Sequence, residues 1–387
     1  MNRYTAASFT LALALIGGAI PPSTGQRQTA ATSDGASRIR GDQWHLRFLK
    51  ATEAQRITQG NGVIVAVPDT GVDPHPDLRR NLLPGIDISE GRDGRIDKDS
   101  HGTAMAGLIA AHGQKAGMGA LGIAPEAKIL PIRSKQIDGK GDTEDLASSI
   151  EWATLHGADI ISISAVSGAS QRLQQAIRAA LQANIVVVAA AGNKPFDIGV
   201  GYPASEDGVL AVGGIDTTGN LAAVSVTGSA IDITAPAVDI YSTSYGGKYS
   251  KGTGTSSATA IVAGAAALVR SKYPDLPASE VVHRLTATAV DKGPPGRDDE
   301  YGYGVINLVA ALTADVPPVG FESATAGAPG ASGPTTTAVA EPADDDGDGS
   351  TARGLATLGV IVAAAGAWAL VARRRRLSDD PPPRISR

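Results

Sequence analysis

The chain has 387 residues, of which 42% are hydrophobic and 19% charged, and its formal net charge is −5. This length and apolar content suffice for one large α/β core with appended segments, whereas the acidic balance without a basic patch excludes a nucleic-acid partner. Because cysteine is absent, disulfides, a cysteine nucleophile and a thiolate metal site are excluded.

The N-terminus is typical of an exported protein. Arg3 precedes an apolar stretch at residues 6–20, and small or turn residues follow it. This is the pattern of a secretory signal peptide, which we assign to residues 1–25. Residues 26–40 are polar and small, and they predict a short N-terminal extension before the globular part of the chain.

The first motif follows a predicted buried strand. Residues 63–67 form a continuous run of Val, Ile and Ala between glycines, and Asp69 begins the sequence Asp-Thr-Gly directly after it. Such short apolar runs predict parallel strands that are covered on both faces. Asp69 is therefore expected at the carboxyl end of a strand, the edge at which open α/β sheets hold their functional sites.

Two further motifs stand at the starts of predicted helices. His101 opens the sequence His-Gly-Thr before a predicted helix at 102–111, and Ser256 closes Gly-Thr-Ser before an apolar helix at 258–269. A serine at a helix N-terminus lies among unpaired backbone N–H groups at the positive end of the helix dipole. That environment stabilises negative charge as it develops on a reacting group.

Between the motifs, strands and helices alternate. Apolar runs predict strands at 129–132, 160–163, 185–190 and 209–212. Helical spacing of apolar residues predicts helices at 142–155 and 170–182. This alternation indicates an α/β fold with a mostly parallel sheet between helices, joined by right-handed crossovers.

The C-terminus predicts a membrane anchor. Residues 313–353 are rich in Ala, Gly, Pro and Thr and predict a solvated linker, although the aspartates within 344–348 also match the opening of a calcium loop. Residues 354–372 are uncharged and long enough to form a transmembrane helix. Four arginines begin the tail 373–387 and predict that it is cytoplasmic. We therefore expect a single-pass protein of the cell membrane whose globular domain is extracellular.

Asp69, His101 and Ser256 are the residue types of a nucleophilic triad. A serine hydroxyl becomes a useful nucleophile when an adjacent imidazole accepts its proton, and a buried carboxylate then fixes the imidazole tautomer and stabilises the imidazolium. Each tripeptide alone is a weak signal. Three motifs in this order, each in its expected local context, predict a serine peptidase acting on polypeptides.

Over residues 41–312, the chain resembles the subtilisin-type (S8) serine peptidases, and it is most similar to the mycosins, the membrane-anchored peptidases of type VII secretion in actinobacteria. The order aspartate, histidine, serine supports this resemblance, as do Leu-Gly-Ile-Ala-Pro at 121–125 and Ala-Ala-Gly-Asn at 190–193. The resemblance implies a subtilisin-like three-layer fold, the type VII secretion machinery as a partner, and no cofactor.

The resemblance also implies roles for individual residues. Asp69, His101 and Ser256 correspond to the triad, and Asn193 corresponds to the side-chain donor that shares the oxyanion hole with the Ser256 backbone N–H. The residues that correspond to the substrate-binding segments are Ser164, Ala165, Val166, Ala191 and Gly192.

Three positions depart from the pattern of the family. Pro68 removes one ladder donor immediately before Asp69. Ala260 replaces a proline in the helix of the nucleophile, which should relax a kink. Val166 stands where glycine is common in the family and is expected to narrow the substrate-binding cleft. The resemblance therefore does not imply that this chain shares the broad substrate specificity of subtilisin.

The predicted function is that of a membrane-anchored extracytoplasmic serine endopeptidase that processes exported proteins through an acyl-enzyme, in association with type VII secretion. An alternative is a structural component of a secretion complex whose protease activity is dispensable. The intact triad disfavours a third interpretation, a binding module on a degenerate protease fold.

The other aspartates and histidines singled out in the sequence are expected to have structural roles. Asp93, Asp97 and Asp99 predict a solvated loop, with a structural calcium site as the alternative. No acidic or histidine partner stands at metal-ligand spacing from the remaining histidines, so zinc is not expected. Structural roles are expected for His45, in the segment before the first strand; for His75, in a proline-flanked loop; for His112, on the helix face of His101; and for His156 and His283, on helices.

Overall fold

Parallel strands form the centre of the molecule. The computed structural model describes residues 33–134 and 142–319, which lie in one unit of the chain. Within them the sheet consists of β1 Ile64–Asp69, β2 Ile86–Asp87, β3 Lys128–Arg133, β4 Ile160–Ile163, β5 Val186–Ala190, β6 Leu210–Ile215 and β7 Ile233–Pro236. They pair in the order β2-β3-β1-β4-β5-β6-β7, and every neighbouring pair is parallel.

Helices cover both faces of the sheet. The described helices are α1 Ser33–Asp42, α2 Trp44–Phe48, α3 Ala51–Gln55, α4 His101–Ala110, α5 Thr143–Leu155, α6 Gln171–Gln182, α7 Thr255–Lys272, α8 Ala278–Ala287 and α9 Leu308–Thr313. Short 3₁₀ turns lie at Arg79–Asn81 and Tyr245–Gly247. A separate antiparallel hairpin pairs β8 Ile240–Ser244 with β9 Lys248–Gly252.

Both faces of the sheet are buried, which explains its continuous apolar strands. In β4, Ile160 packs in the core layer that contains α4 and α7, whereas Ile161 packs in the layer that contains α5 and α6. The same alternation places Val186 of β5 on the first side and Val187 on the second. The predicted mostly parallel sheet between helices is confirmed.

The predicted helices over 142–155 and 170–182 are present as α5 and α6. Each begins after a residue whose side chain accepts a backbone hydrogen bond: Asp142 accepts from the N–H of Glu144, and Ser170 accepts from the N–H of Leu173. These bonds satisfy donors that have no partner within the helix. Each helix therefore begins one residue after its predicted start, and the capping residue stands at that start.

Several elements differ from the expectations. The run at 63–67 continues through Pro68 to Asp69, and at Pro68 the strand is paired with β3 alone, opposite Ile132. His112 is not on the helix of His101, because α4 ends at Ala110 and Ala111 is already extended.

Helix α1 crosses the predicted boundary between the N-terminal extension and the globular domain at residue 40. The hairpin, α1 to α3 and β7 were not predicted, since these segments are short or lack a clear apolar period.

The predicted flanking segments lie largely outside the described residues. These are the signal peptide 1–25, most of the linker 313–353, the aspartates at 344–348, the transmembrane helix 354–372 and the tail 373–387. Among the helices that the structure describes, none has both the length and the apolarity to cross a membrane.

Two leucines on neighbouring helices provide a test of this core. Leu173 of α6 is fully buried, whereas Leu155 at the end of α5 is 82% exposed. We expect Leu173→Ala to lower the free energy of unfolding by about 2–5 kcal/mol, because it removes buried methyl groups and leaves a cavity. Leu155→Ala should change it by less than about 0.5 kcal/mol. Urea unfolding followed by circular dichroism measures both; equal effects would contradict the assigned packing.

Candidate active site

A buried carboxylate and an imidazole meet at the carboxyl edge of the sheet. Asp69 ends β1 and is fully buried, and its Oδ1 accepts from the backbone N–H of Thr70 at 2.8 Å. His101 begins α4, and its Nδ1 lies 2.8 Å and 2.9 Å from the two carboxylate oxygens of Asp69. A proton on Nδ1 satisfies this carboxylate and leaves the lone pair of Nε2 free to act as a base.

Ser256 is the second residue of α7 and shares a cleft with His101. Its Oγ donates to the carbonyl oxygen of Ser164 at 3.2 Å, and the Ser164 Oγ donates to the carbonyl oxygen of Ser256 at 3.1 Å. The two serines therefore hold the start of α7 against the end of β4. Ser256 therefore stands in the first turn of a helix, where backbone N–H groups have no partner within the helix itself.

The cleft between these elements has a volume of about 270 Å³. It is partly open to solvent, and within the described residues it contains both charged and apolar side chains. Its lining comprises Thr70, Asp99, His101, Ser164, Ala165, Val166, Ala190, Gly192, Asn193, Asp197, Thr255 and Ser256. Most of the residues that were predicted to bind substrate thus lie together around His101 and Ser256.

Ala191 differs from that expectation. It is fully buried in a small apolar cluster with Val226 and Ile231. Its N–H donates to the carbonyl of Val212, and its carbonyl accepts from the N–H of Gly201. Because Ala191 continues the line of β5, its side chain points into the fold and its backbone groups are already paired, so it does not line the cleft.

Asn193 follows β5 and has a defined side-chain orientation. Its Oδ1 accepts from the N–H of Thr255 at 2.9 Å and from the Oγ1 of Thr255 at 3.2 Å. Its own N–H donates to Oδ2 of Asp197 at 2.6 Å. Since both side-chain bonds use the amide oxygen, the amide nitrogen is available to donate to a ligand in the cleft.

Thr255 and Asp197 are site residues that the sequence reasoning missed. Thr255 is fully buried and orients Asn193, while Asp197 fixes the backbone of Asn193. The signal for Thr255 was its position inside the Gly-Thr-Ser motif. Asp197 stands in a loop with no recognisable motif, so only the tertiary structure brings it to the cleft.

The departures from the family pattern are accommodated locally. Val166 is 39% exposed at the rim of the cleft, and its side chain lies so close to Gly201 that a Cβ there would come within 2.4 Å of Cγ1. Ala260 is fully buried in α7, which runs without interruption from Thr255 to Lys272. Val166 therefore occupies space at one wall of the cleft.

The loop before α4 is not solvated throughout, in contrast to the expectation. Asp93 is accessible and pairs with Arg95 at 2.6 Å, and this hydrogen-bonded partner lowers the pKa of the Asp93 carboxyl. Asp97 is instead buried, and backbone and hydroxyl donors converge on its carboxylate. Among the described residues, no group of three or more His, Asp or Glu side chains could hold a metal ion.

The remaining histidines are outside the cleft. His45 of α2 is fully buried, and neither of its ring nitrogens has a hydrogen-bond partner within the described part of the chain. His75 is a loop residue, as expected, but it is buried and its Nδ1 accepts from the N–H of Asp77. His156 follows the last residue of α5, and His283 lies on α8.

Comparison with known proteins gives one consistent result. The family model of Peptidase_S8, the subtilase family, matches residues 60–304. Subtilisin DY of Bacillus licheniformis is 40% identical over 273 residues, which are 69% of this chain and 97% of that protein. A thermostable alkaline protease of Halalkalibacterium halodurans is 38% identical over 266 residues, which are 68% of this chain and 72% of that protein.

Solved structures of two proteins from secretion systems are similar as well. MycP1 from Mycobacterium smegmatis superposes with a TM-score of 0.64 at 30% identity, covering 75% of this chain and 87% of that chain. The MycP3 protease from the type VII (ESX-3) secretion system has a TM-score of 0.62 at 35% identity, covering 70% of this chain and 88% of that chain.

Burial of His45 predicts a specific dependence of stability on pH. Burial lowers the pKa of the His45 imidazole from 6.5 to about 3, so below pH 6.5 the unfolded chain binds a proton that the folded protein excludes. Stability is therefore lost as the pH falls from 6.5 towards 3. Lowering the pH from 7 to 5 should reduce the free energy of unfolding of both the unsubstituted protein and His45→Leu. We expect the reduction to be about 2 kcal/mol smaller in His45→Leu, because leucine cannot bind the proton.

Urea unfolding at the two pH values measures this difference. All other titrating groups are shared by the two proteins and cancel in the comparison. Parallel losses of stability in both proteins would contradict the assignment of His45 as a buried neutral imidazole.

Proposed function

Since the chain belongs to the subtilase family of serine peptidases, we propose that it is a membrane-anchored endopeptidase whose triad is Asp69, His101 and Ser256. The observation that carries this proposal is the pair of short contacts, 2.8 Å and 2.9 Å, between the Asp69 carboxylate and Nδ1 of His101. Ser256 lies in the same cleft at the N-terminus of a helix. Together these features support acyl transfer through an activated serine.

The reaction begins when a peptide carbonyl enters the cleft. The Ser256 hydroxyl turns from the carbonyl of Ser164 towards Nε2 of His101, gives its proton to that nitrogen, and forms a bond to the carbonyl carbon. Asp69 keeps the imidazole in the required tautomer and stabilises the imidazolium. His101 then passes the proton to the leaving amine, which releases the first product and leaves an acyl-enzyme. Water, deprotonated by the same imidazole, then attacks the acyl carbon; the bond to the Ser256 oxygen breaks, His101 returns the proton to that oxygen, and the second product is released.

The oxyanion of the tetrahedral intermediate forms beside two donors. One is the backbone N–H of Ser256, and the other is the side-chain amide of Asn193. The two bonds from Thr255 to Oδ1 of Asn193 support this assignment, because they fix the amide before the substrate arrives. A donor that needs no reorganisation stabilises developing charge more effectively than solvent does.

Four cleft residues are proposed to bind the polypeptide on either side of the scissile bond: Ser164, Ala165, Val166 and Gly192. Ser164 ends the strand region that leads from β4 into the cleft, and Gly192 follows β5. The backbone groups of Ala165 and Val166 are proposed to pair with an extended peptide, whereas the backbone of Gly192 is bonded to Thr255 and borders the cleft. The valine side chain at position 166 narrows one wall and favours small substrate side chains there.

We place the catalytic domain outside the cytoplasmic membrane, in association with type VII secretion. The similar MycP1 and MycP3 proteins, one described as a protease of the type VII (ESX-3) secretion system, support that association. The apolar segment 354–372 and the arginines that follow it support a single C-terminal anchor. Exported polypeptides are the proposed substrates.

The nucleophile assignment is tested by Ser256→Ala. Loss of the nucleophile should lower kcat by about 10⁶-fold and abolish labelling by a fluorophosphonate probe, because alanine fits the helix but offers no hydroxyl. Ser148→Ala, which removes a serine of α5 outside the cleft, is the control and should retain both properties. Near-normal peptide cleavage by folded Ser256→Ala protein would exclude Ser256 as the nucleophile.

The anchor is tested by truncation. A stop codon at Gly354 should release active enzyme into the medium, because the segment 354–372 is the apolar span that remains after signal removal. Fractionation of cells and medium, followed by an activity assay, measures the outcome. If the truncated protein stays with membranes after a high-salt wash, another part of the chain holds it there.

A further inference from the structure

One buried carboxylate near the cleft has no place in the mechanism above. Asp97 lies in the loop before α4 and is 4% exposed. Within the described ranges it forms no ion pair with lysine, arginine or histidine, so its charge is balanced by hydrogen bonds. A buried charge is costly unless several donors solvate it, and such a group is retained only where the surrounding structure supplies them.

Five donors converge on the two oxygens of Asp97. Oδ1 accepts from the N–H of Asp99 at 2.9 Å, the N–H of Ser100 at 3.0 Å and the Oγ1 of Thr70 at 3.0 Å. Oδ2 accepts from the N–H of Thr103 at 3.0 Å and from its Oγ1 at 2.6 Å. A carboxylate can accept all of these bonds. In an asparagine at this position, the two hydrogens of the side-chain –NH₂ group would instead face groups that are themselves donors.

The two threonines bring Asp97 into contact with both halves of the Asp69–His101 pair. Thr70 donates its own N–H to Oδ1 of Asp69, and its hydroxyl oxygen accepts from the N–H of Gly102, the residue after His101. Thr103 is in the first turn of the helix that His101 begins. The carboxylate of Asp97 thus connects the end of β1 to the start of α4.

Asp97 also holds a strained residue. Ser100 directly precedes His101 and has φ +97°, in the left-handed region that non-glycine residues rarely adopt. Its N–H is bound by Asp97, and its Oγ is bound by the Oγ of Ser244 at 2.9 Å. Strain of this kind persists when the surroundings determine the conformation, so the orientation of His101 depends on these bonds.

We infer that Asp97 is a positioning residue for catalysis: through Thr70 and Thr103 it sets the distance and angle between the Asp69 carboxylate and the His101 imidazole. This inference rests on the proposed triad. It goes further because it assigns a role to a carboxylate that touches neither substrate nor reacting atoms. Small misplacements of catalytic groups lower the rate of the chemical step while leaving substrate binding intact.

The test is Asp97→Asn, assayed per active site after titration with an acylating inhibitor. We expect kcat to fall by about 10- to 100-fold with KM changed by less than about threefold. A residue that only fastens the loop would lower the fraction of active protein and leave kcat per site unchanged. Asp93→Asn is the matched control, because Asp93 is 42% exposed in the same loop and pairs with Arg95; it should retain kcat.

Thr70→Val provides a second variant if Asp97→Asn does not fold. It removes the hydroxyl that links Asp97 to Gly102 and should also lower kcat with little change in KM. In the double variant Asp97→Asn/Thr70→Val, the decrease in kcat should exceed the larger of the two single decreases by no more than about twofold. The reason is that both changes break the same connection between β1 and α4.

The outcomes separate the two proposals. Unchanged kcat per site in Thr70→Val and in folded Asp97→Asn, an increase in KM alone, or an equal kcat loss in Asp93→Asn would overturn the positioning role. If Ser256→Ala is inactive in the same assay, the triad stands even though the positioning role fails. Activity retained by Ser256→Ala would instead overturn the proposed function itself.

Discussion

The contact between the Asp69 carboxylate and the His101 imidazole requires two separate segments to meet with little tolerance. Asp69 ends a strand in the interior of the sheet, whereas His101 begins a helix in the layer above it. A hydrogen bond of 2.8 Å between them is compatible with only one arrangement of strand and helix. Much of the local structure can be understood as the means by which that arrangement is held.

Glycine allows the two segments to approach. A Cβ at Gly102 would lie 2.1 Å from the carbonyl oxygen of Gly71, and a Cβ at Gly71 would lie 2.2 Å from the carbonyl oxygen of Ile96. Gly71 also has φ +97°, which favours glycine for conformational reasons. The glycines of the Asp-Thr-Gly and His-Gly-Thr motifs are therefore required by close packing of backbone on backbone, and the threonines by the bonds to Asp97.

The serine side of the cleft is built differently. Ser256 and Ser164 exchange hydroxyl-to-carbonyl bonds, and Thr255 orients Asn193. Thr255, the residue before the proposed nucleophile, thus orients the proposed oxyanion donor Asn193, and the nucleophile itself is placed by its helix.

The sequence by itself determined the local elements and the chemistry of the motifs. Apolar runs identified β1 and β3 to β6, helical spacing of apolar residues identified α5 and α6, and the three motifs identified the family, because each signal is contained in a short stretch of sequence. The tertiary structure decided what depends on distant partners. It buried Ala191, ended α4 before His112, and gathered around Asp97 donors from both motifs, which no pattern of neighbouring residues could have revealed.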